Sequence, residues 1–354
     1  MGKNEVDKIK IIVTGGNGFI GSHLVDALVK DGHAVTVLDN FNKQMDKSKK
    51  PAMNPEATYV VGDVRKEKDW LKAGITKTDA IIHLAAKTSV EESFFNPCEY
   101  ISNNCYGTAV MYNLIAKNKI PIKKIILASS IAVYGEGPYL CKDCGKFYPQ
   151  PRQPDQLKRK EWDIRCPKCN SVSKPLERFE DDTEQIVSTY ALTKNVQEKL
   201  ATIYGDSLGI TTIMLRYFNV YGPRQGQNNP YTGVVTIFLN NIKNGENLIV
   251  HEDGLQTRDF VHVKDVVNAT ILALKKGNHS AIYNVGNGKS TNIRNLAELL
   301  IKTCKSKSKL VVDNKFRVGD VRHGSGSIKK IVAELGFKPS YSIEAGLKEL
   351  ADGV

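Results

Sequence analysis

Three groups of residues in this chain have types and spacings suited to chemistry. Tyr190 and Lys194 stand four residues apart, so on a helix they share a face one turn apart. An ammonium beside a phenol favours the phenolate, which is how a tyrosine becomes a base near neutral pH. Leu192, Val196, Leu200 and Ile203 repeat at helical spacing as an apolar stripe. Tyr190 and Lys194 each lie two residues from that stripe, roughly 200° round a helix, so the pair is expected to stay out of its packing. The second group is Thr14-Gly-Gly-Asn-Gly-Phe-Ile-Gly21, glycines where backbone could cradle a phosphate. The third is two Cys-x-x-Cys pairs, Cys141/Cys144 and Cys166/Cys169, with twenty-one residues between them. Four thiolates at that spacing complete a tetrahedral zinc site with no position open to water, which is a structural site.

The elements around the glycines make that motif specific. Ile9 to Val13 is an apolar run that leads into the turn, and Leu24, Leu28 and Val29 open a helical pattern after it. Ala34 to Leu38 is a second apolar run, ending at Asp39. Strand, glycine turn, helix, strand and acid together form the dinucleotide fingerprint. Gly15 or Gly16 permits the tight turn, Gly18 lets backbone approach a pyrophosphate, and Gly21 allows close helix packing. The helix N-terminus faces the phosphates. Asp39 suits ribose hydroxyls and repels a 2′-phosphate, which favours NAD over NADP. The alternation continues with Tyr59 to Val61, Ala80 to Leu84 and Lys124 to Ala128, the last two separated by a helix from Tyr100 to Lys117. Asp63 stands where it could bond an adenine amine or cap the next helix. Apolar strands alternating with helices predict a doubly wound parallel sheet of Rossmann type, with ligands at the strands' carboxyl ends.

Thr211 to Tyr217 reads as the last strand of the main sheet. The expected division is therefore a cofactor-binding domain over 1–217, with the four-cysteine, zinc-ribbon-like insertion at 139–175. A smaller substrate-binding lobe follows over 218–354, some of its segments returning to the first domain. The insertion holds Pro149, Pro151 and Pro154 and little apolar content, so metal binding would have to supply its folding energy. Arg258, Arg317 and Arg322 in the second lobe are candidate diphosphate ligands, since guanidinium pairs bidentately with phosphate.

With 354 residues, 41% hydrophobic and 25% charged, the chain is long enough for a large core. No apolar run reaches membrane-spanning length, and Met1 to Lys10 lacks the apolar centre of a signal peptide. A cytoplasmic protein is expected, and in that reducing setting seven cysteines point to metal rather than disulfides. The net charge of +12 suits phosphorylated ligands. Its lysines are scattered, with only Lys47 to Lys50 clustered, so neither nucleic acid nor membrane is an expected partner.

Further motifs extend the pattern: Gly62-Asp63-Val64, His83-Leu-Ala-Ala86, Asn104 with Gly107-Thr108, Ser129-Ser130 leading to Val133-Tyr-Gly135, Arg216-Tyr-Phe-Asn219, Gln256-Thr-Arg-Asp-Phe260, Tyr283-Asn-Val-Gly286 and Arg317-Val-Gly-Asp320. With these the chain resembles, over almost its full length, an extended short-chain dehydrogenase/reductase of the NAD-dependent sugar epimerase/dehydratase family. The resemblance implies Tyr190 as catalytic base, Lys194 as the group that tunes it and binds nicotinamide ribose, and Ser130 as hydroxyl partner. It implies cofactor contacts from Gly15, Gly18, Phe19, Ile20, Gly21, Asp39, Asn40, Asp63, Val64, Leu84, Ala85, Ala86, Lys87, Asn104, Tyr190, Lys194 and Tyr217. Nucleotide-sugar contacts are implied for Ser130, Tyr190, Asn219, Arg258, Arg317 and Asp320, and the usual assembly is a homodimer.

The reaction expected from that resemblance turns on two side chains. The family's 4,6-dehydratases place Asp-Glu after the hydroxyl residue, and its decarboxylases usually keep the glutamate. Here those positions are Ile131 and Ala132, neither able to move a proton. A 4-epimerase needs only one base and the cofactor: Tyr190 takes the C4 hydroxyl proton, hydride passes to NAD, and the 4-keto sugar takes hydride back on its other face. A dehydratase or decarboxylase is the alternative within the family; a non-catalytic NAD-binding scaffold with a zinc interaction module is the alternative outside it. The insertion itself resembles that of a dTDP-L-rhamnose 4-epimerase subgroup, and a UDP-glucose/UDP-galactose pair is an equal substrate expectation.

Overall fold

The computed structural model describes residues 8–41, 53–226, 233–317 and 319–352, so Lys47 to Lys50 lies outside the described residues. Short runs of Ile, Val and Leu, buried on both faces, become parallel strands. Seven of them run in the order Ala281–Val285, Thr211–Tyr217, Lys124–Ser130, Ala80–His83, Lys10–Thr14, Ala34–Asp39, Thr58–Val61. The chain starts mid-sheet, walks to one edge, then crosses back to continue on the other side of Lys10–Thr14. That reversal opens a crevice between the carboxyl ends of Lys10–Thr14 and Ala80–His83, where ligands bind in such sheets. One face packs Leu24, Val25 and Leu28 of the helix Phe19–Lys30 with Val266, Ala269 and Ala273 of Val263–Lys276. The other packs Trp70, Met111, Leu114 and Ala201.

Three expectations need correction. Thr211–Tyr217 is not the last strand, because Ala281–Val285 pairs with it in parallel, from Ala281 opposite Ile213 to Val285 opposite Tyr217. That partner returns after a long excursion into the second lobe, and local periodicity carries no signal of so distant a pairing. The helix around residue 100 is also longer. It runs as Pro97–Tyr100, a π-helical turn Ile101–Tyr106, then Gly107–Asn118.

The third correction concerns the helix Thr189–Leu208. Its buried face is Tyr190, Ala191, Thr193, Lys194, Gln197, Glu198, Ala201 and Gly205. The apolar stripe is largely on the outer side instead, with Leu192 41% and Ile203 58% exposed, although Leu200 still packs against the core. The small residues let the helix approach the sheet, and the polar ones each find a partner there, without which their burial would be costly. Gln197 donates to Thr108 Oγ1 at 2.7 Å, and Glu198 accepts from both Arg216 and Ser129.

The second lobe holds a sheet of Asn219–Tyr221, Thr257–His262 and Ser290–Asn292, with His323–Gly324 paired to the middle strand. Phe238, Leu296, Leu300 and Leu347 form its core. The insertion forms a three-stranded antiparallel sheet of Tyr139–Cys141, Gly145–Phe147 and Lys174–Pro175. Among the described residues no helix is long and apolar enough to cross a membrane.

Candidate active site

A cleft of about 790 Å³ opens over the sheet reversal. Its floor is the glycine turn. Gly15 has φ +68°, and a Cβ there would stand 2.8 Å from Ala85 N, so turn and neighbouring strand end meet backbone to backbone. A Cβ on Gly21 would strike the Gly15 carbonyl. Gly18 caps the helix Phe19–Lys30 with no side chain over its first turn, so the free N–H groups there face the cleft as an anion seat. Asp39 closes the far side, accepting from Asn17 N at 3.0 Å and Phe41 N at 2.8 Å. Burial pushes its carboxyl above the usual range, and those two backbone bonds pull it back.

Ser130 ends the strand Lys124–Ser130, and its Oγ accepts from Ala132 N. Tyr190 comes from the helix opposite, started by Ser188, whose Oγ accepts from Ala191 N at 3.1 Å. Ser93 Oγ takes the Tyr190 N–H at 3.1 Å, and the Tyr100 ring stands edge-on to the Tyr190 ring at 6.4 Å. Tyr190 is 8% and Lys194 3% exposed, and both line the cleft. Burial raises the Tyr190 phenol above its ordinary value, while a bond with the Ser130 hydroxyl lowers it. Lys194 bonds instead to the strand Lys124–Ser130. Its ammonium donates to Ala128 O at 2.7 Å, and burial holds it down to about 8.

Of the residues singled out from the sequence, Gly15, Gly18, Phe19, Ile20, Gly21, Asp39, Asn40, Val64, Leu84, Ala85, Ala86, Lys87, Ser130, Tyr190, Lys194, Tyr217 and Asn219 line the cleft together. Asn219 brings a buried Oδ1 that has no partner among the described residues. Asp63, Asn104, Arg258, Arg317 and Asp320 are not in that lining. Asp63 pairs with Arg65 at 2.7 Å. Asn104 is fully buried in the π turn and ties Lys87 N, Lys87 O and Thr193 Oγ1 together. Arg258 Nη2 meets Asp320 Oδ1 at 2.9 Å, and Arg317 reaches Glu91 at 3.2 Å. Arg322 is not free for a diphosphate: it is 1% exposed and bound to Asp163, Glu252 and Asp253.

In the network beneath Lys194, Thr14, His83, Thr108 and Arg216 belong to motifs read from the sequence but were given no role there, and Thr193, Gln197 and Glu198 were not singled out. Thr193, Gln197 and Glu198 continue the helical face of Tyr190 and Lys194, a run of polar residues at helical spacing that could have marked that face as the buried one. Arg216, fully buried, donates to both Glu198 carboxylate oxygens and lies over the Tyr134 ring at 4.6 Å. His83 bridges Thr14 Oγ1 and Thr108 Oγ1, and burial holds it neutral by lowering it to about 3.

The two Cys-x-x-Cys turns, well separated along the chain, meet in the fold: the Sγ atoms of Cys141, Cys144, Cys166 and Cys169 all lie within 4.8 Å of one another. A tetrahedral zinc with bonds of about 2.3 Å sets its sulfurs roughly 3.8 Å apart, so the cluster fits that ion. Each turn is followed by a left-handed residue, Gly145 and Asn170. No residue of 139–175 lines the cleft.

A model of the NAD dependent epimerase/dehydratase family matches residues 11–154 and 167–286, its gap falling inside the insertion. The chain is 33% identical to the dTDP-L-rhamnose 4-epimerase of Burkholderia thailandensis, over 98% of this chain and 94% of that one. It is similar to the solved UDP-N-acetylglucosamine 4-epimerase from Methanobrevibacter ruminantium M1 in complex with UDP-N-acetylmuramic acid, at TM-score 0.79 and 30% identity over 98% of both chains. It is similar also to the UDP-glucose 4-epimerase of Thermus thermophilus in complex with NAD, at TM-score 0.77 and 26% identity over 97% of this chain and 98% of that one.

Proposed function

The chain belongs to the NAD dependent epimerase/dehydratase family, and on that premise we propose that it is an NAD-dependent nucleoside-diphosphate-sugar 4-epimerase. The observation that carries this reading is the group around Ser130: the Tyr190 phenol beside it, with Ile131 and Ala132 next in line where a second proton-transfer group would be needed. Of the other two tyrosines that line the cleft, Tyr217 shares a 2.8 Å bond with Thr270 and Tyr221 donates to the Ser342 carbonyl at 3.5 Å.

The glycine floor, which a Cβ would fill, and the uncapped helix turn suit a pyrophosphate, and Asp39 suits the adenosine ribose. When bound, NAD supplies the acceptor that takes the C4 hydrogen as hydride and returns it. Tyr190 takes the C4 hydroxyl proton as the 4-keto sugar forms and gives it back to the same oxygen. Ser130 holds that oxygen, and the Lys194 charge favours the phenolate once its ammonium faces the cleft rather than Ala128. Residues 1–217 serve the cofactor and 218–354 the nucleotide sugar, apart from Val263–Lys276 and Ala281–Val285, which return to the first domain. Asn219, Arg258, Arg317 and Asp320 are the sugar nucleotide's contacts in the second lobe. Arg317 must leave Glu91 to reach a diphosphate.

The Burkholderia relative makes dTDP-L-rhamnose the first substrate to try, with UDP-glucose and UDP-galactose next. Purified protein incubated with UDP-, dTDP- and GDP-sugars should convert one of them to its C4 epimer. A 4-keto-6-deoxy product would move the chain to the dehydratases. Tyr190→Phe should lower turnover at least about a hundredfold, the usual worth of a positioned general base, while NAD remains bound; retained activity would take the base role from Tyr190.

Three further assignments belong to this reading. The four cysteines hold a structural zinc, the chain works as a homodimer, and it resides in the cytoplasm, where free thiolates persist.

A further inference from the structure

We propose that the insertion at 139–175 is a positioning module for the nucleotide-diphosphate site, acting through Arg152 on Asp320 and so on Arg258. This rests on the reading above, in which Arg258 meets the substrate. Between its two cysteine turns the insertion runs onto the second lobe and buries Arg152 there, its side chain 2% exposed. The guanidinium grips Glu252 with two parallel bonds of 2.9 Å each. The same group donates to the Trp162 and Asp320 carbonyls at 3.1 and 2.9 Å. Glu252 in turn accepts from Arg322 at 3.0 Å, and Asp163 of the insertion takes a second donor of Arg322 at 3.0 Å.

Arg258 is held from the other side by these same residues. Its Nη2 donates to the Asp320 carboxylate at 2.9 Å, and its Nη1 donates to the Thr257 carbonyl at 2.8 Å and the Arg322 carbonyl at 3.3 Å. Both Asp320 and Arg322 are thus gripped by insertion side chains, Arg152 and Asp163. The Trp162 ring also lies 6.4 Å from the Phe316 ring, one residue before Arg317. The insertion never lines the cleft, yet it brackets the loop that carries Asp320 and steadies Arg258. Buried ion pairs add little net stability over apolar groups of the same size, but they fix one geometry. Arg152 is therefore a positioning residue whose effect belongs to nucleotide affinity.

The test is the double variant R152M/E252M, which replaces a buried pair with apolar side chains of similar length. Such exchanges are commonly neutral for folding, and Arg322 keeps Asp163 and Asp253. Calorimetric titration with UDP, dTDP and GDP should show the preferred nucleotide bound about tenfold more weakly, the worth of a charge-assisted hydrogen bond. KM for the nucleotide sugar should rise by a similar factor, with kcat within about twofold and unchanged NAD content. Arg152→Lys, which keeps a charge for Glu252 but cannot also span to Asp320, should give an intermediate loss, and it carries the test alone if the double variant does not fold. Folded variants with wild-type nucleotide affinity and KM would overturn the inference, as would a loss shared equally by kcat and NAD content. A wild-type protein that binds none of the three nucleotides would sink the epimerase reading and this inference with it; binding by wild type with no loss in the variants sinks only the inference.

Discussion

Burial dominates the titratable groups around Tyr190. It raises the phenol, lowers Lys194 to about 8 and keeps His83 neutral. The spacing of Tyr190 and Lys194 was readable in the sequence, but the direction of the resulting shift was not. The pair's proximity argued for a lowered phenol, whereas desolvation disfavours the charged form of each group. A pH profile checks this. Lys194, ordinarily charged to about 10.5, is charged below about 8 and neutral above it. Because the phenol that must ionise titrates above the ammonium that must stay charged, the kcat/KM of the proposed epimerase should rise with pH and level off near pH 8, since that ratio reports ionisations of the free enzyme. A profile that keeps rising through about pH 8 without levelling would remove the ammonium from the mechanism. Asn104 shows the opposite kind of legibility: its motif was visible, but its role in tying Lys87 to Thr193 depends on a π turn that adds one residue to the helix. Such turns leave little trace in apolar periodicity.

At the scale of elements, the two Cys-x-x-Cys turns were legible because metal chemistry restricts spacing more tightly than packing does. Their sulfurs converge as the spacing requires. Elemental analysis of protein purified without chelators should find about one zinc per chain. Cys144→Ser and Cys169→Ser should each lower that content, whereas substitution of Cys98, Cys105 or Cys304 should not; metal far below that level would sink the site. The helix Thr189–Leu208 was the harder case. An apolar stripe is ordinarily the buried one, because burying it removes apolar surface from water. Here the sheet offers Ser129 and Arg216, and the adjoining helix the Thr108 hydroxyl, so the face carrying Gln197 and Glu198 goes in, and Leu192 and Ile203 stay out.

At the scale of the whole molecule, that outward stripe has neighbours. Ile101 and Tyr106, on the adjoining helix with its π turn, are 40% and 57% exposed. Exposed apolar side chains on two adjoining helices suit a partner that covers them, and a second copy of the chain is the partner proposed. Light scattering should give twice the chain mass for wild type. Leu192→Glu with Ile203→Glu should give a single chain, because burying two uncompensated carboxylates is costly; a wild-type protein that runs as one chain would rule out the homodimer. The alternating strands, the glycine turn, Asp39, the Tyr190–Lys194 pair and the four cysteines were all determined by the sequence itself. Each rests on local spacing or on chemistry that few residues can perform. Tertiary structure alone decided that Ala281–Val285 joins the main sheet, that the helix Thr189–Leu208 buries its polar face, and that Arg322 serves Glu252, Asp253 and Asp163 instead of a diphosphate. Those outcomes depend on partners brought from distant parts of the chain, and which polar groups can be buried is known only once those partners are in place.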